Sequence, residues 1–170
     1  MTGRPALTEA APYYFRYIDQ AQGENALLLI ETQLSEVLAL SHTISEDKSR
    51  HRYAPEKWSI RQVLNHVSDT ERAFAFRALW FARGFSSPLP DYDQEIAARG
   101  AEADQISWSE QVREFERVRL ATISLFKNMP EDAWMRTGIA SNNRFTVRAL
   151  AFIATGHVEH HLKILRERYL

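Results

Sequence analysis

Apolar residues recur at helical spacing along nearly the whole chain, and polar or proline-containing stretches divide them into four long segments. Leu27, Ile30, Leu34, Val37 and Ile44 share one face of a first amphipathic helix. Ahead of it, Tyr13, Tyr14, Phe15, Tyr17 and Ile18 form an aromatic cluster, read as a short helix or arm packed on a bundle. Residues 45–57, polar and carrying Pro55, break the pattern. The second segment starts at a capping box, Ser59-Ile60-Arg61-Gln62, with Trp58 and Val63 placed for a hydrophobic staple. Its inward stripe is Val63, Val67, Thr70, Phe74 and Ala78, and Gly84 is a C-terminal stop.

Residues 85–106, with Pro88, Pro90 and Gly100, form a connection too long to be structureless in a compact domain, so a helical turn is expected near residues 94–99. Ser107-Trp108-Ser109-Glu110 reads as a second capping box, opening a helix that Pro130 ends. Residues 134–143 read as a loop, and the last helix runs from Thr146 almost to Leu170. No stretch alternates as a strand does. The expected fold is all-α: one domain over residues 1–170, a mostly antiparallel four-helix bundle with a long connection between its second and third helices. Residues 1–12 are expected to be loosely ordered. Trp58-Ser59-Ile60-Arg61 and Phe145-Thr146-Val147-Arg148 share one residue order ahead of the second and fourth helices, which run parallel in an up-down-up-down bundle.

Composition narrows the chemistry. The 170 residues carry 21 basic and 22 acidic side chains and no cysteine. Such a balance argues against nucleic-acid binding. Without cysteine there are no disulfides and no thiolate ligands, so any metal must rest on histidine and carboxylate. No apolar run approaches the roughly 20 residues of a membrane span, and the first residues lack the apolar core of a secretory signal, so a cytoplasmic location is expected.

The histidines then stand out. Val147, Leu150, Ala154, His157, His161 and Ile164 follow alternating steps of three and four, the line of the last helix that faces a core. His157 and His161 therefore stand one turn apart where leucines belong, and both can reach one ion. The competing reading is a hydrogen-bonded polar core cluster. His160 flanks this line, either replacing His161 as a ligand or lying at the rim, and the rim is preferred. His66, beside the inward stripe of the second helix, is the natural third ligand. Asp69 either orients an imidazole from outside the ligand set or is a surface partner of Arg72 or Arg61. His42 and His51 read as solvated. His66 lies seven residues after its cap, but His157 and His161 lie eleven and fifteen after theirs. Parallel helices would need starts offset by about 9 Å to bring the three together.

Residues 53–61, His66, Asp69-Thr70-Glu71-Arg72, residues 77–84, residues 145–150, Gly156-His157 and His160-His161, taken in order, resemble the DinB-like superfamily over most of the chain. The resemblance implies a four-helix bundle holding a divalent metal, zinc or nickel, on three histidines that match His66, His157 and His161 here. It also implies a homodimer, and for some members thiol-dependent transferase or isomerase activity. The reading that follows is a metal-dependent enzyme acting on a small molecule, by S-transfer with a low-molecular-weight thiol or by hydrolysis. The rival is a non-catalytic or stress-related dimeric binding module. With no cysteine in the chain, any reacting sulfur must come with the substrate.

Overall fold

The structure, a computed structural model, describes residues 3–170. Its helices are α1 (Phe15–Ile18), α2 (Ala26–His42), α3 (Ile60–Ala82), α4 (Gln94–Gly100), α5 (Trp108–Lys127) and α6 (Val147–Ile164), with a π-helical turn at Leu165–Tyr169. Side-chain caps begin the long ones. Asn25 accepts from the Leu28 amide, and Thr146 from that of Ala149. At Ser59 both halves of the capping box are made. Ser107 also caps, but Glu110 pairs with Arg113 instead of reaching back. Gly84, at φ +82°, provides the left-handed residue after α3.

Residues 134–143 are not simply a loop. Thr137–Ala140 (β1) and Asn143–Thr146 (β2) pair antiparallel, with Ala140 opposite Asn143. Ser141 and Asn142 between them have φ +49° and +58°, the two positive angles of a tight hairpin turn. Strands of four residues are too short to show alternation. The bundle is thus mostly helical, with a small two-stranded sheet that the sequence pattern concealed.

The order of the helices also differs from up-down-up-down. Each of α3 and α2 packs against both α5 and α6, so the ring runs α2–α5–α3–α6 and consecutive α2 and α3 sit diagonally. Arg61 at the start of α3 donates to Ile106 O just before α5, and Arg119 meets Glu71 halfway along both helices, so α3 and α5 run parallel. A parallel pair requires a connection that returns the length of the bundle, about 34 Å for α3. Residues 83–107 make that return, and α4 lies where a helical turn was expected. By contrast, Tyr169 at the chain end donates to Trp58 O before α3, and Arg77 near the end of α3 donates to Ser141 before α6. Hence α3 and α6 are antiparallel, and the 9 Å offset disappears: counting from opposite helix ends brings His66 level with His157 and His161.

The described part of the segment expected to be loose, residues 3–12, is fastened; Met1 and Thr2 lie outside the described residues. Arg4 donates to Ile18 O at 2.7 Å. Buried Glu9 accepts from Thr146 Oγ1 at 2.8 Å and pairs with Arg148, a carboxylate set at the positive end of α6.

Two apolar clusters fill the bundle. One gathers Ile30, Phe74, Phe81, Phe126, Phe145 and Leu150, and the other Val37, Ile60, Val63, Phe115, Val158 and Leu162. Between them every long helix turns polar: Gln33 on α2, His66, Thr70 and Glu71 on α3, Arg119 and Thr122 on α5, Thr155 and His157 on α6. No helix is long and apolar enough to cross a membrane.

Candidate metal centre

The polar layer brings together the three histidines singled out by spacing. His66 and His157 are buried and His161 is half-buried, with their potential ligand atoms all within 4.8 Å of one another. Nε2 of His157 lies 3.1 Å from Nε2 of His66 and 3.2 Å from Nε2 of His161. An imidazole nitrogen carries one hydrogen or one in-plane lone pair, so His157 Nε2 can satisfy only one of these contacts. Nδ1 of His161 is buried without a partner. A single cation would satisfy all three Nε2 atoms, because nitrogens bound at 2.0–2.1 Å to a tetrahedral ion lie about 3.3 Å apart. The donor set thus fits a divalent metal.

Burial sets the protonation states. It pulls His66 down to about 4, with the charge of His160 adding to the effect. Burial likewise holds His157 and His161 well below the ordinary histidine value, reinforced by the neighbouring imidazoles. At neutral pH all three are uncharged, the form that offers a lone pair to a metal. Thr70 Oγ1 stands 3.3 Å from His66 Nδ1, where it can accept that N–H and leave Nε2 pointing inward. Trp58 covers His66 at 4.9 Å between ring centroids, and Tyr17 covers His157 at 5.3 Å. Burial, with a hydrogen bond to Tyr13, pushes Tyr17 up to about 12, so it remains a neutral phenol.

The other candidates fall outside the cluster. His160 stands at the rim, its Nδ1 3.4 Å from Gln20 Nε2. Asp69 pairs with Arg72 at 2.9 Å and leaves the orientation of His66 to Thr70, a residue read from sequence only as part of the apolar stripe. His42 and His51 are exposed. Among the described residues, no carboxylate joins the three histidines.

A cavity of about 250 Å³ opens beside His157, lined by Thr70, Phe74 and Arg77 of α3, by Tyr13, Tyr14 and Tyr17, and by Asp91, Tyr92 and Ser141. It adjoins a larger one of about 700 Å³ that shares Arg77, Asp91 and Tyr92 but does not reach the histidines. The connection before α4 therefore walls the entrance through Asp91 and Tyr92. Asp93, the next residue along, caps α4. Arg77 was missed as a site residue, although it lies three helical turns from His66 and so on the same face.

A four-helix bundle with a polar middle layer and three converging imidazoles defines the class of protein. The chain belongs to the DinB superfamily, whose sequence profile matches residues 29–165. No curated protein matches it by sequence. Its fold is similar to that of YfiT from Bacillus subtilis, described as a probable metal-dependent hydrolase with an unusual four-helix bundle topology. That match has a TM-score of 0.68 and 14% identity, and covers 95% of this chain and 91% of YfiT. It is also similar to a mycothiol-dependent maleylpyruvate isomerase, with a TM-score of 0.67 and 14% identity. That match covers 81% of this chain but only 58% of the isomerase.

Proposed function

We propose that the protein is a divalent-metal-dependent enzyme acting on a small molecule, with His66, His157 and His161 as its metal ligands. The convergence of three neutral imidazole Nε2 atoms beside a cavity carries this reading. Three neutral ligands and no fourth protein donor among the described residues match the pattern of catalytic rather than structural zinc. Zinc or nickel suits the donor set. The ion would supply Lewis-acid chemistry that makes a substrate thiol or water more acidic. Thr70 fixes the tautomer of His66, while Trp58, Phe74 and Tyr17 hold the rings and keep bulk water from the sides of the site.

Among the described residues no carboxylate joins the triad, which favours a thiol as nucleophile. A thiol starts near pKa 8.5 and needs a far smaller shift than water, at 15.7, to ionise near neutrality without a protein base. The cysteine-free chain leaves that thiol to the substrate or a co-substrate, and the likeness to a mycothiol-dependent isomerase supports S-transfer or isomerisation. Hydrolysis is the second reading, supported by the end-to-end likeness to YfiT.

Elemental analysis of the purified protein tests the ligand set. We expect one equivalent of metal per chain, lost in His66→Ala, His157→Ala and His161→Ala and kept in His160→Ala. Stoichiometric metal unaffected by the first three changes would overturn the assignment. A screen of the metal-loaded protein with cellular thiols and electrophiles, beside ester and amide substrates, then separates the two reactions. Loss of all turnover classes with metal retained would favour a binding module.

A further inference from the structure

Arg61, Arg77 and Arg119 are the buried arginines among the described residues. A guanidinium does not shed its proton inside a protein, so each needs compensation where it stands. Arg61 pairs with Glu46 and donates to Ser49 Oγ at 2.8 Å and Ile106 O at 2.7 Å. Arg119 pairs with Glu71 at 2.8 Å. Arg77 differs. Among the described residues it has no ion-pair partner, and its hydrogen bonds are one of 2.8 Å from Nη2 to Ser141 Oγ and a long one of 3.4 Å to Pro90 O. Burial lowers its pKa against the opposing influence of Tyr14 and Asp91. Asp91 is itself exposed and already engaged by the Ser141 hydroxyl and the Tyr92 amide.

Arg77 faces the cavity that reaches His157, in company with Tyr14 and Ser141. The hairpin turn sets Ser141 at φ +49°, a left-handed angle that asparagine and glycine adopt more readily than serine. Eleven residues separate Arg77 from His66, about 16 Å along the helix axis. The cavity thus has a cation and a phenol in one part of its wall and His157, one of the three imidazoles, in another.

We propose that Arg77, held by Ser141 and flanked by the Tyr14 hydroxyl, anchors a carboxylate of the substrate, so that the site selects molecules with an anionic group at one end and the reacting atom at the other. This rests on the reading of the triad as the reacting centre and adds the class of substrate. A carboxylate suits a planar guanidinium flanked by one neutral donor. A phosphate dianion is disfavoured, since no second cation lines this cavity and Asp91 stands at its edge.

The test is calorimetric titration of the full-length, metal-loaded protein with 4-phenylbutyrate and with its neutral amide, 4-phenylbutyramide. We expect the acid to bind about tenfold or more tightly than the amide, as a charge-assisted hydrogen bond allows. Arg77→Gln should erase the preference, and Tyr14→Phe should reduce it several-fold. Equal binding of acid and amide by the unaltered protein overturns the proposal whatever the variants do. A preference that survives in folded Arg77→Gln also overturns it, because the carboxylate is then held elsewhere, the metal included. If Arg77 is only a strut that clasps the connection to the hairpin, its variants lower the melting temperature while the acid and amide bind alike, and the proposal is overturned. Should Arg77→Gln fail to fold, Arg77→Lys, which keeps the charge but not the fork, is expected to retain only part of the preference. The two readings fail separately: an intact preference without stoichiometric metal removes the metal centre alone, and metal without preference removes the anchor alone.

Discussion

Gly156 offers a test in which two well-understood effects have opposite signs. It lies within α6, where alanine is the better helix former by about 1 kcal/mol. A Cβ there, however, would sit 1.8 Å from Tyr17 O and 2.5 Å from the carbonyl carbon of the same residue. The obstacle is backbone, so no rotamer change can relieve it, and α1 must move off α6. Overpacking of this kind costs about 1–3 kcal/mol, which outweighs the propensity gain by up to about 2 kcal/mol. At roughly 2–4 °C per kcal/mol for a chain of this size, Gly156→Ala should melt a few degrees lower, up to about 8 °C. The shift should also loosen Tyr17, the ring that covers His157. Gly100, which closes α4 with nothing within 4 Å of its added Cβ, is the control: Gly100→Ala should be neutral or slightly stabilising. Scanning calorimetry of the three proteins decides the matter. A Gly156→Ala protein that melts at or above the parent would refute the close approach of α1 to α6.

The buried Glu71–Arg119 pair makes a second test: Glu71→Leu alone should cost about 3–5 kcal/mol in urea denaturation, and Glu71→Leu with Arg119→Met should recover most of it, whereas a single change as mild as a surface one would show the charges are not buried together. Acid should weaken the metal-free fold in two windows. The unfolded chain protonates its histidines near 6.5 but folded His66 only near 4, so stability declines as pH falls between these values, by about 3 kcal/mol for His66 alone. Glu9 acts lower: burial raises its pKa, but bonds from Arg148, the Ala6 amide and Thr146 together hold it below the usual 4.5, so its contribution is complete above 4.5 and lost as pH falls through the folded value. Denaturation midpoints across pH 3–8 should show His66→Gln flattening the upper window and Glu9→Gln the lower; stability constant from 6.5 to 4 would contradict the buried, neutral His66.

Local chemistry and periodicity, both carried by the sequence, determined much of this protein. The caps at Ser59 and Thr146, the stop at Gly84 and the helical turn before Gly100 depend on residues a few positions apart, and so they could be read directly. The three imidazoles could be found because histidine at the inward positions of a helix breaks an otherwise apolar line. What spans the bundle could not be read this way. Apolar stripes say which face of a helix turns inward but not which helix it meets, so the parallel pairing of α3 with α5 and the antiparallel pairing of α3 with α6 came only with the tertiary structure. That pairing brings His66 level with His157 and His161. The same holds for polar partners far apart in the chain: Thr70 on His66 and Ser141 on Arg77 looked like an ordinary stripe residue and an ordinary loop residue. The sequence by itself supplied the three histidines and their helices; tertiary packing decided the direction of each helix, the hydroxyl beside His66, and the buried cation with no carboxylate partner among the described residues, because these depend on contacts between segments that sequence distance does not encode.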